Sequence, residues 1–358
     1  MTKRTYLDHA ATTPVLRQAR DAMSAAMEHW ANPSSPHSEG RKANALLETA
    51  RQAIRTALEW RHDVIFTSGA SEAVAIVAER ARVPRRITGA TEHAIVPHEM
   101  GVAAAIVPVG RDGIIDQEAL RAELKRGPAV VAIQQVNNET GVVQPLDEIG
   151  EIVRSAGSLL LADCAQSAGK IDLPDADFIA LSAHKLGGPP GIGALLVKGL
   201  STLEPTGGQE KGYRRGTQDA PAAAGFAAAL ESRAFADAMP RLADLGRRLD
   251  EGVKAAGGVV IAQDSPRVPN IGAVSLPGAS QASLLAQFDL AGFAVSAGSA
   301  CSSGKMKASP VLAAMGVEPA LASSFLRISF GPSTSEEEVD AFLAEWRRIA
   351  ARISTKAA

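Results

Sequence analysis

Cysteine is scarce in this chain: among 358 residues there are two, Cys164 and Cys301. Two cysteines cannot build a disulfide framework. No Cys-x-x-Cys or His-Glu-x-x-His spacing occurs and the seven histidines are scattered, so no metal site is expected. Long apolar runs are missing too, none approaching the roughly 20 residues of a membrane span. Neither sign of charge dominates, with 37 Lys+Arg against 39 Asp+Glu. A chain so balanced has no global field for nucleic acid or an anionic membrane, and neither is expected as a partner. The opening residues 1–8 lack the apolar core of a signal peptide, which makes a cytoplasmic protein the expectation. Two nucleotide signatures are absent as well. There is no Gly-x-x-x-x-Gly-Lys, and no Gly-x-Gly-x-x-Gly follows the first long strand.

What is present is alternation. Apolar runs at 63–67, 86–90, 103–107, 129–134, 158–162, 178–181 and 193–197 read as strands. Helical spacing falls at 15–30, 38–60, 73–82 and 146–156, with Pro14 suited to the first turn. A long Ala-rich helical stretch covers 219–255. Strands alternating with helices predict an α/β fold with a mostly parallel sheet covered on both faces. The remainder changes character, with strands at 271–276, 293–296 and 325–330 and a helix at 281–290. An amphipathic helix over 335–353 follows, with Ser335 as its N-cap. The length suits two domains. Residues 15–250 form the expected large domain; 1–14 and 251–358 form the smaller α+β one.

Polar residues gather where the predicted parallel strands end, the edge at which open α/β sheets bind ligands. Lys185 follows the buried run Phe178-Ile179-Ala180-Leu181 through Ser182-Ala183-His184. An amine at the mouth of a buried strand loses water, and that favours its neutral, nucleophilic form. Most lysines beside loops are simply solvated, so the weight comes from the neighbours. Ala70 and Ser71 stand in a strand-to-helix turn, Ser68-Gly69-Ala70-Ser71-Glu72, that offers N–H groups to an anion. An ordinary N-cap is the plainer reading. Asp163 ends an apolar run, where a carboxylate needs a cation or hydrogen bonds. It also reads as an N-cap. A protonated pyridine nitrogen would suit it, His93 could stack on such a ring, and Asn138 and Gln166 could address a phenolic oxygen. Each of these three also reads as a loop or capping residue.

Lys185 as Schiff-base amine, Asp163 as pyridinium partner and a phosphate cradle from Ser71, Ser182 and His184 together describe pyridoxal 5'-phosphate. Cys301 is the second chemical centre. Its surroundings, Ser296-Ala297-Gly298-Ser299-Ala300-Cys301-Ser302-Ser303-Gly304, hold no bulky residue to bury the sulfur. An accessible thiol suits a nucleophile; an incidental exposed cysteine is the alternative. Cys164, beside its apolar run, reads as a buried structural cysteine.

The residues then resemble a family, the cysteine desulfurases of the class V aminotransferase group, over nearly the whole chain. The likeness rests on Tyr6-Leu7-Asp8-His9-Ala10-Ala11-Thr12-Thr13-Pro14, Asn32-Pro33-Ser34-Ser35, Phe66-Thr67-Ser68-Gly69-Ala70-Ser71-Glu72 and Thr91-Glu92-His93. It continues in Val136-Asn137-Asn138-Glu139, Asp163-Cys164-Ala165-Gln166-Ser167, Ser182-Ala183-His184-Lys185, Arg214-Arg215-Gly216-Thr217 and Ser299-Ala300-Cys301-Ser302. The cysteine segment is similar to that of the long-loop branch. The resemblance implies the fold type I of pyridoxal-phosphate transferases, a homodimer, and conversion of L-cysteine to L-alanine. Sulfur would be held as a persulfide on Cys301 for an acceptor protein in iron–sulfur cluster assembly or other thiolation.

It also implies roles. Lys185 would hold the cofactor and move the Cα proton, and His93 would stack on the ring. Asp163, Asn138, Gln166, Ala70, Ser71, Ser182 and His184 would bind the cofactor, with Thr217 reaching across from the second subunit. Arg327, with Asn32, would hold the substrate carboxylate; a lone arginine in the apolar strand 325–330 already asks for an anion. Ser71 stands where the family usually has Thr and keeps the hydroxyl. The alternatives are a selenocysteine lyase, another class V aminotransferase, or a catalytically silent sulfur-relay subunit that keeps only the fold.

Overall fold

The computed structural model describes residues 4–298 and 309–357. Cys301 lies outside the described residues. A short strand β1 (Thr5–Tyr6) is followed by β2 (Asp63–Thr67), β3 (Arg85–Gly89), β4 (Ala105–Val107), β5 (Ala129–Gln134) and β6 (Leu159–Asp163). Then come β7 (Phe178–Ser182), β8 (Gly193–Val197), β9 (Val259–Val260), β10 (Ile271–Ser275), β11 (Phe293–Ala294) and β12 (Phe325–Ser329).

Strands β2 to β8 form a seven-stranded sheet in the order β2-β8-β7-β6-β5-β3-β4. Every residue of β5, β7 and β8 is buried, as expected of Val/Ile/Leu/Ala runs covered on both faces. The pairs β3/β4, β3/β5, β5/β6 and β6/β7 are parallel. Strand β8 runs antiparallel to both of its neighbours, β7 and β2. Residues 183–192 between β7 and β8 are too few to carry a crossover helix, so the chain must return in the opposite sense. That reversal places the start of β8 beside the ends of β2 and β7, with Gly193 opposite both Thr67 and Ser182.

Helix boundaries differ from the sequence expectation where long-range contacts intervene. The first helix is Arg17–Ala26, shorter than residues 15–30. Leu16 is still extended, its N–H bound to the Gly187 carbonyl at 2.9 Å, so the preceding strap continues two residues past Pro14. The next helix, Ser38–Ala57, begins under a His37 side-chain cap and stops before Glu59, which takes φ +51°. The stretch 219–255 is two helices, Ala220–Glu231 and Ala234–Ala255, broken at Arg233 with φ +52°.

A second sheet has the order β12-β10-β9, antiparallel throughout. The helix Ala234–Ala255 packs against it, and the helix Glu336–Ala357 packs against that helix. Ser335 Oγ accepts from the Glu338 N–H and the Glu338 carboxylate accepts from the Ser335 N–H, a reciprocal capping box. Phe342 stacks on Phe288 at 4.6 Å between centroids, and Trp346 is fully buried beside them. Strand β1 pairs with β11, and Asp8 bridges to Ser329. Residues 4–14 thus run as a strap from the small sheet to the edge of the large one.

Candidate active site

A cleft of about 560 Å3 opens at the edge where β5, β6 and β7 end and β8 begins. One wall is the turn after β2. Thr67 Oγ1 donates to the Gly69 carbonyl at 2.9 Å, and the helix Ala70–Arg80 starts there with its first N–H groups directed outward. A Cβ at Gly193 would lie 2.7 Å from Gly69 Cα and 2.2 Å from the Leu181 oxygen, so only glycine lets β8 pass this close beneath the turn. Ala70, Ser71, Ser182 and His184 line this end of the cleft. His184 meets Thr12 Oγ1 through Nδ1 at 3.1 Å, and burial together with the Lys185 and Lys170 charges pushes its imidazole down to about 4.

Lys185 sits in the single 3-10 turn after β7 and reaches the strap. Its Nζ donates to the Ala10 carbonyl at 2.6 Å and the Ala11 carbonyl at 2.9 Å. Burial, and next the Arg327 guanidinium, push this amine down to about 8, while Asp163 and Asp8 pull the other way. Asp163, the last residue of β6, is buried and accepts the Ala165 N–H at 2.9 Å. Burial raises its carboxyl above the usual range, against the pull of that N–H, His93 and Lys185. His93 shares the cleft; desolvation lowers its imidazole, Asp163 raises it, and Lys185 lowers it again. Gln166 donates through Nε2 to the Ala10 carbonyl at 2.8 Å, and its Oε1 is buried with no partner among the described residues.

Arg327, in the middle of β12, is 4% exposed. Its Nη2 donates to Asp8 Oδ1 at 2.8 Å and its Nη1 to the Asn138 carbonyl at 2.9 Å; Nε is buried without a partner among the described residues. The anion that the sequence demands for this arginine is therefore supplied, within the chain, by Asp8. Asn138 lines the same cleft.

Asn32 and Thr217 do not line this cleft. Both are exposed. Asn32 Oδ1 caps its own turn by accepting the Ser34 N–H at 2.9 Å. Ser34 Oγ in turn donates to Gln209 at 2.9 Å, tying the Asn32 loop to the segment that leads to Thr217.

Several residues near the cleft escaped the sequence reading. Asp8 lies in a polar run, and its partner Arg327 is 319 positions away. His9 is buried, meets Thr13 Oγ1 at 3.3 Å, and is pushed down to about 4 by burial and then by Lys170. Lys170 is buried with its Nζ 4.8 Å above the Phe235 ring and no hydrogen-bond partner among the described residues; burial, then Lys185, lower it to about 7. Glu92 accepts the Gln134 N–H at 2.7 Å, and burial followed by the Asp163 charge holds its carboxyl well above the usual range. A carboxylate or amine next to apolar residues was the one available signal, and it does not distinguish a surface position from a buried one.

Residues 5–342 match the family model described as aminotransferase class V. A cysteine desulfurase of Cereibacter sphaeroides is 35% identical, the match covering 95% of this chain and 94% of that protein. The cysteine desulfurase IscS of an Anaeromyxobacter species is 37% identical over 94% of this chain and 89% of its own length. The X-ray structure of a NifS-like protein from Rickettsia africae superposes with a TM-score of 0.90 at 30% identity, covering 97% of this chain and 99% of that one.

Proposed function

Because this chain belongs to the class V aminotransferase family and, within it, to the cysteine desulfurases, we propose that it converts L-cysteine to L-alanine and retains the sulfur on Cys301. The observation that carries this reading is the Lys185 amine, held by the Ala10 and Ala11 carbonyls in the same cleft as Asp163 and Arg327.

The family depends on pyridoxal 5'-phosphate, and the donor set fits that group. Asp163 is a buried carboxylate whose raised pKa marks the want of a cation, which a ring nitrogen can meet. Gln166 Oε1, in the same cleft, is buried with no partner among the described residues. At the other end the first turn of the helix Ala70–Arg80, Ser71, Ser182 and His184 suit a phosphate. Lys185 would hold the aldehyde, and His93 and Asn138 would flank the ring. Bound there, the cofactor supplies a carbonyl to the substrate amine and a ring that withdraws electron density from Cα.

The chain's own residues do the rest. An amine pushed down to about 8 has a far larger neutral share near physiological pH than an ordinary lysine, so Lys185 can take a proton from the substrate Cα and return it. Arg327 keeps Nε and parts of both terminal nitrogens for the substrate carboxylate. The Cys301 thiolate attacks the substrate sulfur: an S–S bond forms as the Cβ–S bond breaks, and the pair left on carbon is protonated to the methyl group of alanine. One cysteine and one thiol thus become one alanine and one persulfide, with no outside oxidant.

The reading includes a homodimer in which Thr217 serves the second copy's cleft, a cytoplasmic setting, and a sulfur-acceptor protein that unloads Cys301. The division into residues 15–250 and 1–14 with 251–358 is part of it. The test is to incubate the holoenzyme with L-cysteine and look for alanine and a mass increase of one sulfur on the Cys301 peptide. Cys301→Ala is expected to keep borohydride-trappable pyridoxyl at Lys185 and to release no sulfide. Sulfide release by that variant refutes the nucleophile, and failure to trap Lys185 refutes the whole scheme.

A further inference from the structure

We propose that Glu139 is a positioning residue that clamps together the two stems of the segment bearing Cys301. The inference rests on the reading of Cys301 given above. It begins with how Glu139 is presented. After β5 the chain makes a tight turn organised by Asn137. The Asn137 Oδ1 accepts from the Glu139 N–H at 2.9 Å, the Thr140 N–H at 2.8 Å and the Thr140 hydroxyl at 3.0 Å. Its Nδ2 donates to the Thr91 carbonyl at 3.0 Å, fixing the turn to the neighbouring strand end. Gly141 closes the turn at φ +76°, where a Cβ would lie 2.9 Å from the Ile271 oxygen. Such a turn leaves its carboxylate little freedom, and Glu139 is 1% exposed.

The carboxylate meets both flanks of the cysteine segment. Ser309, the first described residue after it, donates from Oγ to Glu139 Oε2 at 2.5 Å. The same Oγ accepts the Leu312 N–H at 3.1 Å, so Ser309 also caps the helix Pro310–Ala314. Gly298, the last described residue before the segment, has φ +80°, and a Cβ there would lie 2.9 Å from Glu139 Oε2. One oxygen atom therefore accepts from the residue that follows 299–308 and leaves no room for a side chain on the residue that precedes them.

The clamp is continuous with the substrate arginine. Ser296 exchanges both backbone hydrogen bonds with Arg327, at 3.2 and 2.7 Å, and its hydroxyl donates to the Gly298 carbonyl at 3.3 Å. On the other side, the Asn138 carbonyl next to Glu139 holds Arg327 Nη1. A thiol that must meet a sulfur above Lys185 gains from having both ends of its segment referred to the group that holds the substrate carboxylate. Misplacement by about 1 Å costs on the order of a hundredfold in rate.

The test uses the holoenzyme and, separately, the cofactor-free protein. Glu139→Ala is expected to lower kcat for alanine formation by about tenfold or more while KM for L-cysteine stays within about twofold, the pattern of a lost transition-state alignment. In the cofactor-free protein the rate of Cys301 alkylation by iodoacetamide, read by peptide mass, should change by about threefold or more, because the stems have parted. Glu139→Gln keeps an acceptor for the Ser309 hydroxyl and should restore both readouts. Ser309→Ala removes the other half of the contact and should shift both in the direction of Glu139→Ala, which covers the case in which Glu139→Ala fails to fold. An unchanged kcat, an unchanged alkylation rate, or a loss confined to KM overturns the proposal. If Cys301→Ala itself still yields sulfide, the desulfurase reading fails instead, and that outcome is distinct.

Discussion

Arg327 and Asp8 form an ion pair in the cleft wall, Nη2 to Oδ1 at 2.8 Å, across a sequence separation of 319. The two ends of the pair are not equally dry: the arginine side chain is 4% exposed and the aspartate 20%. Removing Asp8 strands a buried cation, whereas removing Arg327 leaves a carboxylate that water can reach. Asp8→Ala should therefore cost about 3–5 kcal/mol and Arg327→Met distinctly less. Urea unfolding of both variants decides it; equal losses would mean that the pair contributes shape and not charge.

Lys185 supplies a pH prediction. Its amine should react with an acylating reagent half-maximally near pH 8 in the cofactor-free protein, against the ordinary lysine value of 10.5. Because Arg327 lowers and Asp8 raises this pKa, Arg327→Met should move the labelling curve to higher pH and Asp8→Asn to lower pH. Curves that moved together, or a midpoint near 10, would contradict the charge arrangement.

Acid should loosen the strap through His9. Its imidazole titrates at about 4 when folded and near 6.5 when unfolded, so between those values the unfolded chain binds more protons. The stabilisation is whole above pH 6.5 and is lost as pH falls toward 4, by at most about 3 kcal/mol. His9→Gln should flatten the fall in unfolding free energy between pH 7 and 5. A wild-type slope that persists in the variant assigns the acid sensitivity elsewhere.

Two glycines of the cleft should respond differently to a methyl group. Gly193→Ala meets backbone atoms at 2.2 and 2.7 Å, which cannot swing aside. It should cost at the upper end of about 1–3 kcal/mol and weaken cofactor retention by shifting the Gly69 turn. Gly191→Ala has open space around it but a φ of +80°, and should cost about 1 kcal/mol. Thermal melts and cofactor dialysis of the two variants give the comparison.

Local patterns made much of this legible. The buried runs of β5, β6 and β7 read directly, as did Ser335, whose capping partner Glu338 is three residues away. Because polar residues at strand ends converge on one edge, Ala70, Ser71, His93, Asn138, Asp163, Gln166, Ser182, His184 and Lys185 are found around one cleft. The direction of β8 was not legible, since strand pattern is the same forward and backward and only the short link after β7 decides it. Nor was the break at Arg233, where Ala-rich propensity runs straight through a left-handed residue. Asp8 and Glu139 were quoted only as parts of motifs, because their work depends on Arg327, Ser309 and Gly298, far along the chain. Asn32 and Thr217 do not line the cleft, and their loops carry no local pattern that would have shown it.

The pairing of β1 with β11 has a bearing on biosynthesis. Residues 5 and 6 leave the ribosome long before their pairing partners at 293 and 294. A nascent chain can complete the seven-stranded sheet while Lys185 still lacks the carbonyls of Ala10 and Ala11. The amine thus waits in water until residues 293 and 294 are made, and the pocket acquires its chemistry only when the strap made long before docks beside them.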